Sequence, residues 1–340
     1  VTPSFQISVS GNDITADVTA RAGIIEWSDT VEEGSDGLTI TLQDSDNLLA
    51  VPKSGAKVEL SVGYDLALQR VGSFTVDSTQ IEGPPDRLTV SCSSAPVAQA
   101  GSIAARRSKS WEDTTLGDIA KSIAGNLGVS ASVDTSLASV QIINEQQVDE
   151  SDTNLILRLV RRHGGFLKFA DGRMIIAAEG AGTGTGGTAL NVTLQRNEVS
   201  TWRVSAGGKG QAYKTVKVKY HDYETGDTNE VEAEVEQPAS MPELTQDVAW
   251  LAASESTFTP PTPAADEPQA KAQAKTVAKR IARSTRSLEL SLPGRLDIVA
   301  GGKVTLAAFR EGVNGEWLVK TVQHRLDSRG WSMRVSGEGA

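Results

Sequence analysis

The densest run of like charge in the chain is Lys271, Lys275, Lys279, Arg280 and Arg283, with Arg286 just beyond. Lysines four residues apart stack on one face of a helix. The run therefore predicts a basic stripe, for which a solvated helix back is the plainer reading and contact with an acidic neighbour or a nucleic-acid backbone the functional one. Contact of that kind is salt-sensitive. Three histidines, His163, His221 and His324, are the only imidazoles, and none has metal-ligand spacing. His163 falls at the predicted end of a helix, where a protonated ring complements the helix dipole. His221 adjoins Asp222, but neighbours in a strand point to opposite faces. Glu32-Glu33 and Asp149-Glu150 have the residue types of a glycosidase pair. Both lie in apparent turns without an aromatic-rich cleft, which favours solvated surface. Gly182-Thr183-Gly184-Thr185-Gly186-Gly187 formally matches a dinucleotide fingerprint, yet an alternating strand, Leu190 to Leu194, follows where a helix is required. No catalytic residue, cofactor or metal is expected.

The single cysteine, Cys92, shares a strand face with Leu88 and Val90, as a buried thiol would. One cysteine builds neither a disulfide framework nor a cysteine zinc site, so a reducing cytoplasm is the expected place of synthesis. The first residues lack the basic start and apolar core of a signal peptide, and no apolar run is long enough to insert in a membrane. The chain has 340 residues, which predicts two to four sub-domains, and a net charge of −10 speaks against non-specific duplex binding.

The elements that would position these residues are mostly strands. Phe5-Ile7-Val9, Leu38-Ile40-Leu42, Val58-Leu60-Val62 and Phe74-Val76 alternate, with turn residues between them. Residues 1–97 are read as a β-barrel or sandwich. Residues 98–179 read as a small α/β unit. Its first helix opens at the capping box Thr115-Leu116-Gly117-Asp118, and a second starts near Ser151-Asp152. A hairpin then turns at Asp171-Gly172. Residues 180–188 form a Gly/Thr linker. Strands resume over 189–236 and 288–340, around an insertion at 237–287. The prolines of 237–269 exclude regular structure from most of that run, and a basic helix is predicted over Ala270–Ser284.

The two strand-rich regions look like copies. Leu38, Ile40, Leu42 and Asp44 align with Val216, Val218, Tyr220 and Asp222, Trp27 with Trp202, Gly55-Ala56-Lys57-Val58 with Gly301-Gly302-Lys303-Val304, and Phe74 with Trp317. The interval from Phe74 to Leu88 equals that from Trp317 to Trp331, which suggests a kept register. The expected class is α+β, mostly β: two similar antiparallel β-barrel domains from an internal duplication, with small α/β insertions.

Ordered marks run through nearly the whole chain: Gly83-Pro84-Pro85, Arg106-Arg107-Ser108-Lys109-Ser110-Trp111, Thr115 to Ala120, Gln147 to Leu155 with Arg158-Leu159, and Asn314-Gly315-Glu316-Trp317-Leu318-Val319 before His324. In this order they resemble the phage late-control gene D family, which is similar to the hub-like part of type VI secretion spike proteins. That resemblance implies a homotrimeric baseplate hub in a contractile phage tail or tail-like bacteriocin, joining a hexameric tail tube to a trimeric spike. The implied partners are the chain itself, the spike, the tube and other baseplate proteins, with DNA or a tape-measure protein passing through the lumen. It carries over no catalytic residue. A tail-associated cell-wall lysin is the alternative, and it would need a general acid and a cleft. A carbohydrate-binding β-protein comes third, since aromatics are only 5%.

Overall fold

The computed structural model describes residues 2–31, 35–94, 105–179, 191–206, 213–221, 226–236, 256–261, 263–264 and 266–339. The first stretch forms β1 (Pro3–Val9), β2 (Asn12–Asp13), a short helix Thr15–Ala20, β3 (Ile24–Thr30), β4 (Gly37–Gln43), β5 (Lys57–Tyr64), β6 (Ala67–Glu82) and β7 (Arg87–Ser93). The period of two decides which face is buried. Leu38, Ile40 and Leu42 on β4, and Val58, Leu60 and Val62 on β5, join Trp27, Phe74 and Cys92 in one core.

The α/β unit follows, with β8 (Arg106–Thr115), helix Leu116–Asn126, β9 (Ser130–Val133), a short helix Thr135–Ala138, β10 (Gln141–Ser151), helix Asp152–Arg162, β11 (Gly165–Ala170) and β12 (Arg173–Ala178). Thr115 caps the first helix by accepting the Asp118 N–H at 3.1 Å. The Thr115 hydroxyl donates to the Asp118 carboxylate at 2.8 Å, so the cap is closed through side chains and not through a second backbone amide. Leu116, Ile119, Ile123, Leu155, Ile156 and Leu159 bury the apolar stripes of the two helices against Leu167, Phe169, Met174 and Ile176 of the hairpin. Asp171 and Gly172 both have positive φ, 50° and 70°, as a tight two-residue hairpin turn requires.

The last stretch holds β13 (Asn191–Gln195), β14 (Thr201–Ala206), β15 (Tyr213–His221), β16 (Thr228–Glu234), β17 (Ser256–Phe258), helix Glu267–Ser284, β18 (Arg286–Pro293), β19 (Lys303–Ala307), β20 (Gly315–Asp327) and β21 (Gly330–Gly339). The basic helix starts earlier than expected because Asp266 caps it, accepting the Gln269 N–H at 2.8 Å. Pro268 then falls in the first turn, where no donor is needed. β17 lies inside the proline-rich run read as irregular, and residues 237–255 of that run lie outside the described residues.

The chain is mostly β, but the expected barrels do not close. One 13-stranded sheet runs β14-β18-β21-β20-β3-β4-β7-β6-β5-β1-β2, with β19 beside β20 and β13 beside β19. The physical reason lies at β3. The edge that would close the first set of strands on itself is paired instead with β20 of the second. Two runs can be followed within the sheet, β3-β4-β7-β6-β5-β1 and β14-β18-β21-β20-β19-β13. Val58 lies opposite Phe74 and Val304 opposite Trp317. Both long strands bulge at matching places, between Val76 and Ser78 and between Val319 and Thr321. The runs differ at the end, where β1 is antiparallel to β5 but β13 is parallel to β19.

Three alignments made from sequence are corrected by this register. Val216, Val218 and Tyr220 sit on β15, in a separate three-stranded sheet with β16 and β17, and the strand placed like β4 is β18. Trp202 lies opposite Leu290 as Ile25 lies opposite Ile40, so Trp27 stands level with Val204 and not with Trp202. Trp331 lies opposite Leu326, whereas Leu88 lies opposite Ile81, because the two hairpin turns differ in length. Asp222, aligned with Asp44, lies outside the described residues.

Candidate assembly site at the junction of the two strand runs

β20 is long enough to share one edge between two neighbours: Gly315–Leu318 pairs with β19, and Thr321–Leu326 pairs with β3. At that junction His324 stacks on Trp27, ring centroids 4.5 Å apart. Its Nδ1 accepts the Trp331 indole N–H at 3.3 Å, which leaves the proton on Nε2. Burial pushes its pKa down to about 4, so the ring is neutral at physiological pH. Arg325 meets Glu26 at 2.5 Å, and the hydroxyls of Thr30 and Thr321 lie 3.3 Å apart.

The α/β unit docks on the same place through Lys168, whose ammonium lies 2.5 Å from Asp29 and 3.2 Å from Asp36. Asp29 also accepts the Ala300 N–H at 3.0 Å, so one carboxylate of β3 holds both β11 and the segment between β18 and β19. Burial, and then the neighbouring Asp29, raises the Asp36 pKa to about 7. Burial alone would lower Lys168, but the two carboxylates outweigh it and hold its pKa above the ordinary value. Sequence reading passed over Lys168. The signal was a lysine inside Phe166-Leu167-Lys168-Phe169, a strand that proves buried on both faces. Beside it, the Ser94 hydroxyl donates to the Phe169 carbonyl at 2.6 Å, and Asp171 accepts the Ser73 N–H at 3.1 Å.

The expected basic stripe divides in two. Lys271, Lys275 and Lys279 face outward, Lys271 pairing with Glu267 at 2.6 Å along the helix. Arg280 and Arg283 turn inward onto Glu179 of the α/β unit, and Arg280 also donates to the Arg161 carbonyl at 3.0 Å. On the opposite side Ala270, Ala274, Ala278 and Ala282 let the helix lie close on β15 and β16. Arg286 stacks its guanidinium over Trp317, 4.5 Å from the ring centroid.

The other singled-out residues are structural. His163 ends its helix as expected, but burial, and then the adjacent Arg162, pushes its pKa to about 4, so it is a neutral cap and not a cationic one. Arg161 and Arg162 supply the positive charge in that last turn. Asp149 pairs with Arg106 at 3.1 Å and Glu150 with Arg158 at 2.8 Å, which ties both carboxylates to cations. His221 is exposed; Glu32, Glu33 and the glycine-rich segment lie outside the described residues. Cys92 is buried, its thiol pushed up to about 12 by burial and then by Asp77. The Gln147–Asp152 motif forms a buried network: Trp111 donates to Gln147 at 3.3 Å, Gln147 to Asp152 at 2.9 Å, and Arg107 reaches Asp152 at 3.4 Å. Among the described residues no group of acids, histidines and cysteine could hold a metal, and no helix is long and apolar enough to cross a membrane.

The sequence pattern of one family, the phage tail baseplate hub (GPD), matches residues 32–330. The chain belongs to that family. It is 28% identical over 364 residues to the probable baseplate hub protein of Escherichia phage P2, covering 99% of this chain and 93% of the relative. Among solved structures, a tail protein from Neisseria meningitidis MC58 shares its fold with a TM-score of 0.70 at 12% identity, over 100% of this chain and 97% of the other. A component of the type VI secretion system of E. coli shares it with a TM-score of 0.53 at 9% identity, over 92% and 72% of the two chains. This hub protein is accordingly a structural protein of the phage baseplate and not an enzyme. The geometry around Lys168 and His324 serves cohesion, locking three parts of the hub into one body.

Proposed function

We propose that this hub protein is an adaptor that joins a hexameric tail tube to a trimeric spike, acting as a homotrimer with two related platforms per chain. The observation that carries the proposal is the pair of strand runs with the same order and matching bulges. On this reading the runs descend from one duplicated unit. The chain then divides into residues 1–97, the α/β domain 98–179, a linker 180–188, a second strand domain 189–236 with 288–340, and an insertion 237–287. A sixfold tube cannot match a threefold spike directly. Three chains would offer six similar strand runs to the tube, while the α/β domain and the insertion, present once per chain, reduce the symmetry to three toward the spike. The outward Lys271, Lys275 and Lys279 would meet an acidic baseplate neighbour, or the genome or tape-measure protein in the lumen. Light scattering of the hub with its spike protein tests this. A hub mass of about three times the 35.9 kDa chain is expected, and a hub that stays monomeric or dimeric would contradict it.

A further inference from the structure

The large sheet has ends at β2, β13 and β14, and the one strand partner of β14 among the described residues is β18. A second open edge lies on β6. Beyond Val76, residues Ser78–Glu82 pair with β7 on one side and with no described strand on the other. The edges on β14 and β6 each have a counterpart in the other run. With bulges aligned, Ser78–Glu82 occupy on β6 the places of Thr321–Arg325 on β20. Leu38 lies between Cys92 and Trp27, and Leu288 between Gly337 and Val204. Along β14, Arg203, Val204 and Ser205 therefore stand where Glu26, Trp27 and Ser28 stand on β3. Inside the chain those two counterparts, β20 and β3, are paired with each other.

We propose that β14 of one copy adds to the outer edge of β6 of the next copy, in the register of the internal junction. Gln80 then lies opposite Ser205, Ile81 opposite Val204 and Glu82 opposite Arg203. The proposal rests on the homotrimeric reading above and names the surface that makes the trimer. Internal precedent sets the register: Gln323 faces Ser28, His324 faces Trp27 and Arg325 faces Glu26. The Val31 N–H bonds the Lys320 carbonyl at 3.1 Å. By alternation from that bond, Gln323–Ser28 and Arg325–Glu26 are non-hydrogen-bonded pairs, where facing side chains come closest.

Exposure and charge both fit. Ile81 is 61% exposed where its counterpart His324 is 5% exposed, and Val204 is half-buried where Trp27 is 5% exposed. An added strand would cover both apolar side chains and satisfy two rows of backbone groups. The acid and the base have changed strands between junctions: Glu26 faces Arg325 inside the chain, and Arg203 would face Glu82 between chains. That swap also opposes wrong pairings. β14 laid on β20 would set Arg203 against Arg325, and β3 laid on β6 would set Glu26 against Glu82. Because the two open edges differ, copies join head to tail, and the series ends only by closing a ring.

The test is disulfide trapping in the full-length hub. Gln80→Cys/Ser205→Cys should oxidise to dimers and closed trimers and nothing longer, while the displaced pair Gln80→Cys/Thr201→Cys stays monomeric on a non-reducing gel. Glu82→Arg and Arg203→Glu should each weaken trimer formation at least tenfold, and the two together should restore most of it. A wild-type trimer whose matched pair fails to cross-link, or cross-links no better than the displaced pair, overturns the edge and leaves the hub reading intact. A wild-type chain that stays monomeric even with its spike protein overturns both.

Discussion

The outer edges of β6 and β20 start from the same backbone, each with a bulge one residue past a buried valine, and differ in what lies beside them. Against β20 lies β3, with an aromatic stack, an ion pair and a docked α/β unit, and the edge is paired, with Val322 and His324 buried. Against β6 beyond Val76 lies no described strand, and Ser78, Gln80, Ile81 and Glu82 are exposed. The lesson is about solvation. An edge finished within the chain can carry a neutral imidazole and large rings, whereas one that is soluble before assembly must carry short polar and charged groups with few apolar contacts.

Substituting proline at the two matching positions should separate the edges most sharply. By the same alternation, the amides of Ile81 and His324 point to the outer edge, so proline at either removes a donor on that side. Ile81→Pro is expected to fold with a nearly unchanged melting temperature but to abolish trimers in light scattering. His324→Pro should yield no folded protein, because it breaks a made pairing and the stack on Trp27. Equal tolerance of both would erase the comparison.

The next largest effect belongs to Lys168, which anchors the α/β unit to the first strand run. Lys168→Met leaves Asp29 and Asp36 buried beside each other without their cation, at a cost of about 3–5 kcal/mol in denaturant unfolding. Adding Asp36→Asn should recover part of it. A loss below about 1 kcal/mol would mean the docking rests on the apolar contacts alone.

The pH dependence of the internal junction comes third. The folded His324 has a pKa lowered from 6.5 to about 4, so protons bind the unfolded chain first. Its stabilising share is full above 6.5, falls as pH drops through 6.5, and levels off near 4, a change of roughly 3 kcal/mol. His324→Gln should flatten part of the melting-temperature loss between pH 7 and pH 4. The proposed junction between copies has Ile81 at this place, so trimer cross-linking over the same window should show no step that His324→Gln removes.

The smallest contrast is between Gly55 and Gly301, which precede β5 and β19 at matching places with φ of +86° and +83°. A Cβ on Gly55 meets nothing within 4 Å, whereas one on Gly301 would lie 2.6 Å from the Phe166 ring. Gly55→Ala should cost about 1–2 kcal/mol for the left-handed backbone alone. Gly301→Ala should cost about 1–3 kcal/mol more, by displacing Phe166. Equal melting temperatures for the two variants would show that Phe166 yields freely.

Much of this was legible in the sequence where periodicity is strong. The helices Leu116–Asn126 and Asp152–Arg162, the Asp171-Gly172 turn, the strand face of Cys92 and the Gly-Lys starts of β5 and β19 could all be read locally. Pairing could not. Val216-Val218-Tyr220 alternates just as Leu288-Leu290-Leu292 does, and nothing local says which of β15 and β18 joins the large sheet. The equal intervals ending at Leu88 and Trp331 misled because a longer turn, Gly83–Asp86, compensates for a shorter run of pairs. The open sheet was hidden for the same reason, since a closed barrel and a sheet that runs on through β3 and β20 share one alternation. Lys168 was visible as a charge between apolar residues, but its carboxylates come from positions more than a hundred residues away.

An electron cryo-microscopy map of the hub bound to its spike protein tests the central claim most directly. The account predicts a closed ring of three chains in which β3–β20 and β14–β6 junctions alternate, six in all, with Gln80 across from Ser205 as Gln323 is across from Ser28. A ring whose chains meet through the α/β unit or the basic helix, with β14 and the outer edge of β6 left in solvent, would contradict it.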